Sequence, residues 1–201
     1  MRQGKWVRTG VSLLLLVMVT SGCAFGTRRA ALQTPPVASL HGSAPVLSAS
    51  RGKIVLIAFA DQRSNKRAIG EVRNGWGMHT AVVEPDRDIG QWITQSVKAA
   101  LQQAGYEVIE GNPASLPAVT PVLRGDILTV YCTALFAYEG EVSFFAHVDK
   151  DGRQLLHTRY TGKGSAGLNW AATGSGYAVS LESALKESLA SLIADRQVAL
   201  R

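Results

Sequence analysis

Hydrophobic residues are distributed along the chain in three different ways. First comes an unbroken apolar run, Val11-Ser12-Leu13-Leu14-Leu15-Leu16-Val17-Met18-Val19, behind the basic residues Arg2, Lys5 and Arg8 and ahead of the small residues Thr20-Ser21-Gly22-Cys23. A helix that crosses a bilayer needs roughly 20 apolar residues, and this run stops at about half of that. A basic, then apolar, then small segment is the order of an export signal, here residues 1–22. From 24 to 52 no period is sustained, and Thr34-Pro35-Pro36, His41-Gly42-Ser43-Ala44-Pro45 and Ser48-Ala49-Ser50 punctuate the stretch. Residues 23–52 are therefore expected to be a flexible linker, with an r.m.s. reach of roughly 30 Å. Periodic patterns begin at Lys53, and 53–201 is long enough for a single domain with a sizeable core.

Within that domain the periods predict strands and two helices. Lys53–Ala60 is apolar and rich in branched residues and stops at the polar cluster Asp61 to Lys66, as a buried strand does. Ala68–Arg73 and Met78–Val83 flank Asn74-Gly75-Trp76-Gly77, a hairpin signal because Asn and Gly tolerate positive φ. Asp86 or Asp88 can cap a helix whose apolar positions Ile89, Trp92, Ile93, Val97, Ala100, Leu101 and Ala104 have helical spacing, with Gly105 placed to end it. A strand follows over 106–109, then a proline-containing loop from Gly111 to Pro121, then a long strand over 122–138. Glu141–Asp149 and Arg153–Lys163 read as two more strands around Lys150-Asp151-Gly152. A three-residue loop there sets Val142, Phe144, Ala146 and Val148 on one face with Leu156, Thr158 and Tyr160, whereas a two-residue Asp151-Gly152 turn would bring His157 and Arg159 onto it. The first register is expected, with Gly152 left-handed. The glycine-rich stretch 162–176 reads as a loop, and Ser180 as the cap of a last helix bearing Leu181, Ala184, Leu185, Leu189, Leu192 and Ile193. The expected fold is α+β, a mostly antiparallel sheet with two helices packed on one face.

Charge changes the picture little. The chain has 21 basic and 15 acidic residues, but three of the basic ones precede Cys23, which leaves about +3 on the remainder. That is no nucleic-acid footprint. Apart from Cys23 the only cysteine is Cys132, in the apolar run Val130-Tyr131-Cys132-Thr133-Ala134-Leu135, so no disulfide framework exists. Cys132 reads as a small buried apolar residue; a Cys23–Cys132 disulfide is the competing use of both sulfurs.

Val19-Thr20-Ser21-Gly22-Cys23 resembles the bacterial lipobox, departing from it at Thr20, where an aliphatic residue is usual. The resemblance implies that Cys23 receives diacylglycerol on sulfur and a further acyl chain on its freed amine. Two or more chains anchor stably where one does not. Ala24 follows the cysteine, and by the sorting rule of enteric lipoproteins this implies an outer-membrane protein facing the periplasm.

A second resemblance spans residues 53–110: Phe59-Ala60-Asp61-Gln62-Arg63, Ile69-Gly70-Glu71-Val72-Arg73-Asn74-Gly75-Trp76-Gly77, Asp88-Ile89-Gly90-Gln91-Trp92-Ile93 and Leu101-Gln102-Gln103-Ala104-Gly105-Tyr106-Glu107-Val108. This looks like the YajG-type family of bacterial envelope lipoproteins. More distantly the element order is similar to periplasmic lipoprotein domains that act by binding other proteins. The resemblance implies an address and a fold, and brings no enzymatic residue and no cofactor.

Candidate chemistry is sparse. Asp61 and Arg63 close the first strand and could hold a ligand or form a structural ion pair. His147 and His157 share a face but in diagonal positions, and zinc takes three or four ligands, so no metal site is expected. Thr161-Gly162-Lys163-Gly164-Ser165 lacks the spacing of a phosphate loop, and Gly174-Ser175-Gly176 that of a nucleophile elbow. Trp76, Met78 and Trp170 are large apolar residues in or beside turns, which makes them candidate contact residues or caps on the core. Two functions remain: a non-catalytic envelope lipoprotein that binds a protein partner or itself, through a sheet edge or the Trp76 hairpin, or a small-ligand binder or enzyme using the Asp61–Arg63 loop.

Overall fold

The computed structural model describes residues 26–35, 51–74, 76–111, 119–167 and 173–195. Cys23 and Trp170 lie outside them. In chain order the elements are β1 (Gly26–Ala30), β2 (Gly52–Leu56), β3 (Ala60–Asp61), β4 (Gly70–Arg73), β5 (His79–Pro85), α1 (Ile89–Gln103), β6 (Tyr106–Glu110), β7 (Val122–Ala134), β8 (Ala137–Lys150), β9 (Arg153–Gly167) and α2 (Gly174–Ala194). They make an α+β fold around one mixed, mostly antiparallel sheet of nine strands.

β7, β8 and β9 form a long antiparallel meander. The other flank of β7 is divided: β2 and β3 pair parallel with its first half, and β4 joins at Gly70 opposite Cys132. From β2 the sheet continues to β6, and from β4 through β5 to β1. Apolar residues facing inward from this sheet, among them Ile54, Leu123, Tyr138 and Phe144, join Trp92, Ile93 and Val97 of α1 and Tyr177, Leu181 and Leu185 of α2 in one core. Asp88 caps α1, its Oδ1 accepting from the Gln91 N–H at 2.8 Å. Asp86 has another use.

That use corrects the expected linker over 23–52 at residues 26–35; residues 23–25 and 36–50 lie outside the described ones. Gly26–Ala30 is a strand lying parallel to β5, and Leu32 is fully buried behind it. The Leu32 N–H donates to Asp86 Oδ1 at 3.0 Å, the Gln33 N–H to Glu182 Oε1 at 2.7 Å, and the Trp92 Nε1–H to the Gln33 carbonyl at 2.8 Å. Among the described residues 26–35 only Ala30, Leu32 and Pro35 are buried, too few to mark a period, and the strand's partner lies far along the chain.

Four further expectations give way for local reasons. The β8–β9 connection is the two-residue Asp151-Gly152 turn, with Lys150 opposite Arg153 and both central residues at positive φ, 52° and 71°, as a twisted hairpin favours. A bulge then leaves Leu155 unpaired, so that Phe144 faces Tyr160 and Val148 faces Leu156. The apolar set keeps its face through the bulge rather than through a longer loop. The strand expected over 122–138 breaks at Leu135-Phe136, where no turn-forming residue announces it. The expected 162–176 loop is strand up to Gly167, and a methyl group on Gly162 or Gly164 would come within 2.0 Å of the Ala184 carbonyl or 2.1 Å of the Ser180 carbonyl. Those glycines let the α2 backbone lie directly on β9. Finally, α2 starts at Gly174, and Ser180 sits inside it with its hydroxyl 2.8 Å from the Gly164 carbonyl and 3.2 Å from that of Tyr138.

Candidate interaction surfaces

Asp61 ends β3, and Arg63 folds back on it. Arg63 Nε donates to Asp61 Oδ1 at 3.0 Å and Nη2 to Oδ2 at 2.8 Å, a bidentate pair. The remaining donors reach the carbonyls of Lys66 and Ala68, each at 3.1 Å, and of Val130 at 3.4 Å. A guanidinium has five N–H groups, and here each has an internal acceptor. Burial works to raise the Asp61 pKa, but the hydrogen bonds and charge of Arg63 outweigh it and hold the carboxyl below its ordinary value. The arrangement staples the loop after β3 to β7 and leaves no donor turned to a ligand.

The histidines are closer than the expected diagonal. The bulge at Leu155 puts His157 directly opposite His147, and their Nδ1 atoms lie 2.8 Å apart. One Nδ1 must carry a proton and the other must not. His147 Nε2 is 3.1 Å from Asp126 Oδ2, and Phe145 stacks on His157 at 4.9 Å. Among the described residues no group of three His, Cys, Asp or Glu side chains is arranged for a metal ion. Cys132 is buried, which pushes its thiol up to about 11, far from the thiolate a nucleophile requires. Hollows of about 550 Å³ over β7–β9, beside Tyr131, Glu139, Glu141 and Lys163, and of about 620 Å³ between β2 and α1, beside Phe59, Asp88 and Thr94, are lined by neither histidine nor cysteine.

Exposed apolar surface is concentrated elsewhere, on two hairpin tips. Asn74 Oδ1 accepts from the N–H groups of Trp76 and Met78, both at 3.0 Å, which shapes the β4–β5 tip. Trp76 is 89% exposed and Met78 59%, so neither caps the core. At the β7–β8 tip Phe136 is 89% and Leu135 53% exposed. β4 runs parallel to β7 with Gly70 opposite Cys132, and four residues further along each strand stand Asn74 and Phe136. Both tips therefore point to the same end of the sheet. Leu135 and Phe136 escape a reading by periodicity; the signal for them is the run Ala134-Leu135-Phe136-Ala137, which breaks the alternation of a strand with one face in water.

β9 is the second surface. It pairs with β8 along its length, and among the described residues no strand pairs with its other side. Alternate residues of such an edge turn their N–H and C=O outward. The Lys163 N–H is taken by Glu187 of α2 at 2.6 Å, which puts the outward groups at 157, 159 and 161. Arg153, Arg159 and Lys163 and the bulge at Leu155 keep the edge from indiscriminate pairing.

No protein-family model matches the sequence, and no curated protein matches it. Among solved structures the chain is similar to protein XCC0632 of Xanthomonas campestris, described under family DUF330, with a TM-score of 0.58 and 10% identity over 86% of this chain and 95% of that one. The hypothetical protein CT253 of Chlamydia trachomatis has a TM-score of 0.48 and 11% identity over 72% and 96% of the two chains. PelC of Paraburkholderia phytofirmans, a dodecamer, has a TM-score of 0.42 and 16% identity over 74% and 93%. The first likeness shows a shared fold; the other two are too distant to carry an argument.

Proposed function

We propose that this chain is a non-catalytic outer-membrane lipoprotein, anchored through acylated Cys23 and facing the periplasm, that binds an envelope protein along the outer edge of β9. The observation that carries the reading is that edge: a strand of 15 residues that, among the described residues, is paired on one side only. An added strand would take the outward backbone groups of 157, 159 and 161, and the cations Arg153, Arg159 and Lys163 select one that carries carboxylates. The ligand-binding or enzymatic alternative depends on the Asp61–Arg63 loop, and there the guanidinium already spends every donor on the protein itself. No helix among the described residues is long and apolar enough to cross a membrane, and the acyl chains serve as the anchor in this reading.

Thr161→Pro tests it. Proline removes one outward donor from an edge strand without touching the ladder to β8. In-cell cross-linking of the membrane fraction followed by mass spectrometry should identify an envelope protein joined near β9 in the wild type, and this adduct should disappear in Thr161→Pro while circular dichroism stays unchanged. An adduct that persists undiminished, or that joins only two copies of this chain, overturns the proposed partner.

A further inference from the structure

The apolar end of the sheet and the anchoring cysteine are linked by the register of β1. That strand runs parallel to β5 with Gly26 opposite Ala81, so it begins where β5 leaves the Asn74–Met78 tip. Cys23 stands three residues before Gly26, a distance that extended chain covers in at most roughly 11 Å. The flexible tether expected to hold the domain well off the membrane shrinks to Ala24 and Phe25. Once Cys23 has its acyl chains in a bilayer, the end of the sheet bearing Trp76, Met78, Leu135 and Phe136 is at headgroup depth. The far end of the meander is charged instead, with Lys150, Asp151 and Arg153 at the β8–β9 turn.

We infer that these four side chains dock into the same bilayer that holds Cys23, giving the domain a second attachment beside the lipid; the inference rests on the lipoprotein reading above. Four large apolar groups in water on tips at the same end of the sheet need an apolar partner, and the short tether leaves lipid as the one in reach. Tryptophan suits the membrane interface because its ring is apolar and its N–H polar. Buried apolar area at the tips adds to the hold of the acyl chains. The attachment also fixes orientation: β4, β5, β7 and β8 rise from the membrane by their tips, and the β8–β9 turn is the part of the meander furthest into the periplasm.

The test uses the full chain, processed and acylated in cells, purified and reconstituted into phosphatidylethanolamine–phosphatidylglycerol vesicles whose acyl chains are brominated near the headgroup. Bromine quenches tryptophan on contact. After processing, the chain has Trp76, Trp92 and Trp170, and the difference between wild type and Trp76→Phe isolates Trp76. The expected result is strong quenching of that difference signal, reduced several-fold in Phe136→Ser, with mass spectrometry showing acyl chains on Cys23. An unquenched Trp76 signal on acylated protein overturns the docking and leaves the lipoprotein reading standing. Absence of acyl chains on Cys23 overturns both. As a second measurement, a photo-reactive phenylalanine analogue placed at 136 in living cells should yield phospholipid adducts; adducts to a protein, a second copy included, refute lipid as the occupant.

Discussion

Replacing Leu32 by alanine removes a side chain that is wholly inside the core although it lies in a stretch of sequence with no hydrophobic period. Large-to-small changes of this kind cost about 2–5 kcal/mol, the loss of buried surface adding to the cavity left behind. About 3 kcal/mol is a large share of the 5–15 kcal/mol that separates a folded domain from its unfolded chain. For a domain of this size it corresponds to a fall in Tm of about 6–12 °C. The same change has a second readout. The Trp92 Nε1–H donates to the Gln33 carbonyl, so loosening residues 31–35 lets water reach the indole and shifts its emission to the red. Thermal unfolding followed by circular dichroism, with fluorescence on the same samples, measures both effects. Thr34→Ala, at an exposed position two residues on, is the control and should stay within about 0.5 kcal/mol. A Leu32→Ala protein that melts within about 2 °C of wild type, with unshifted emission, would show that the segment is a linker after all and would remove the basis for a short tether.

Two other outcomes follow from the geometry of buried polar groups. The Asp61 carboxyl is held below its ordinary pKa, so its contribution to stability is complete above the unfolded value of about 3.9 and is lost as pH falls through the lower folded value; urea unfolding between pH 6 and 2 should show this loss, and Asp61→Asn should flatten that part of the profile while lowering stability at pH 6. Cys132, with its thiol pushed up to about 11 by burial, should resist alkylation by iodoacetamide at pH 8 in the native protein and react on unfolding; labelling of the folded chain at the rate of a free thiol would contradict the packing around β7.

Sequence alone determined those features that depend on neighbours within one turn or one strand. The 3.6-residue spacing from Ile89 to Leu101 and the Asp88 cap specify α1 without help from the rest of the chain, and Leu181 to Ile193 specify the body of α2. The Asn74 hairpin and the inward face of Phe144, Ala146 and Val148 were legible for the same reason, and so was the burial of Cys132. Tertiary structure decided what rests on partners distant in sequence. Gly26–Ala30 is a strand only because β5 lies beside it, and Leu32 is core only because Asp86, Trp92 and Glu182 come round to meet its segment. Gly162 and Gly164 look like loop residues until the α2 backbone is laid against them. Leu135 and Phe136 look like strand until the chain turns there and leaves both in water. The export signal and an acylated Cys23 stay expectations drawn from the first residues, but the pairing of Gly26–Ala30 was not legible at all, because parallel pairing between distant strands leaves no period in either sequence. Only the packed sheet joins the start of β1 to the two apolar tips.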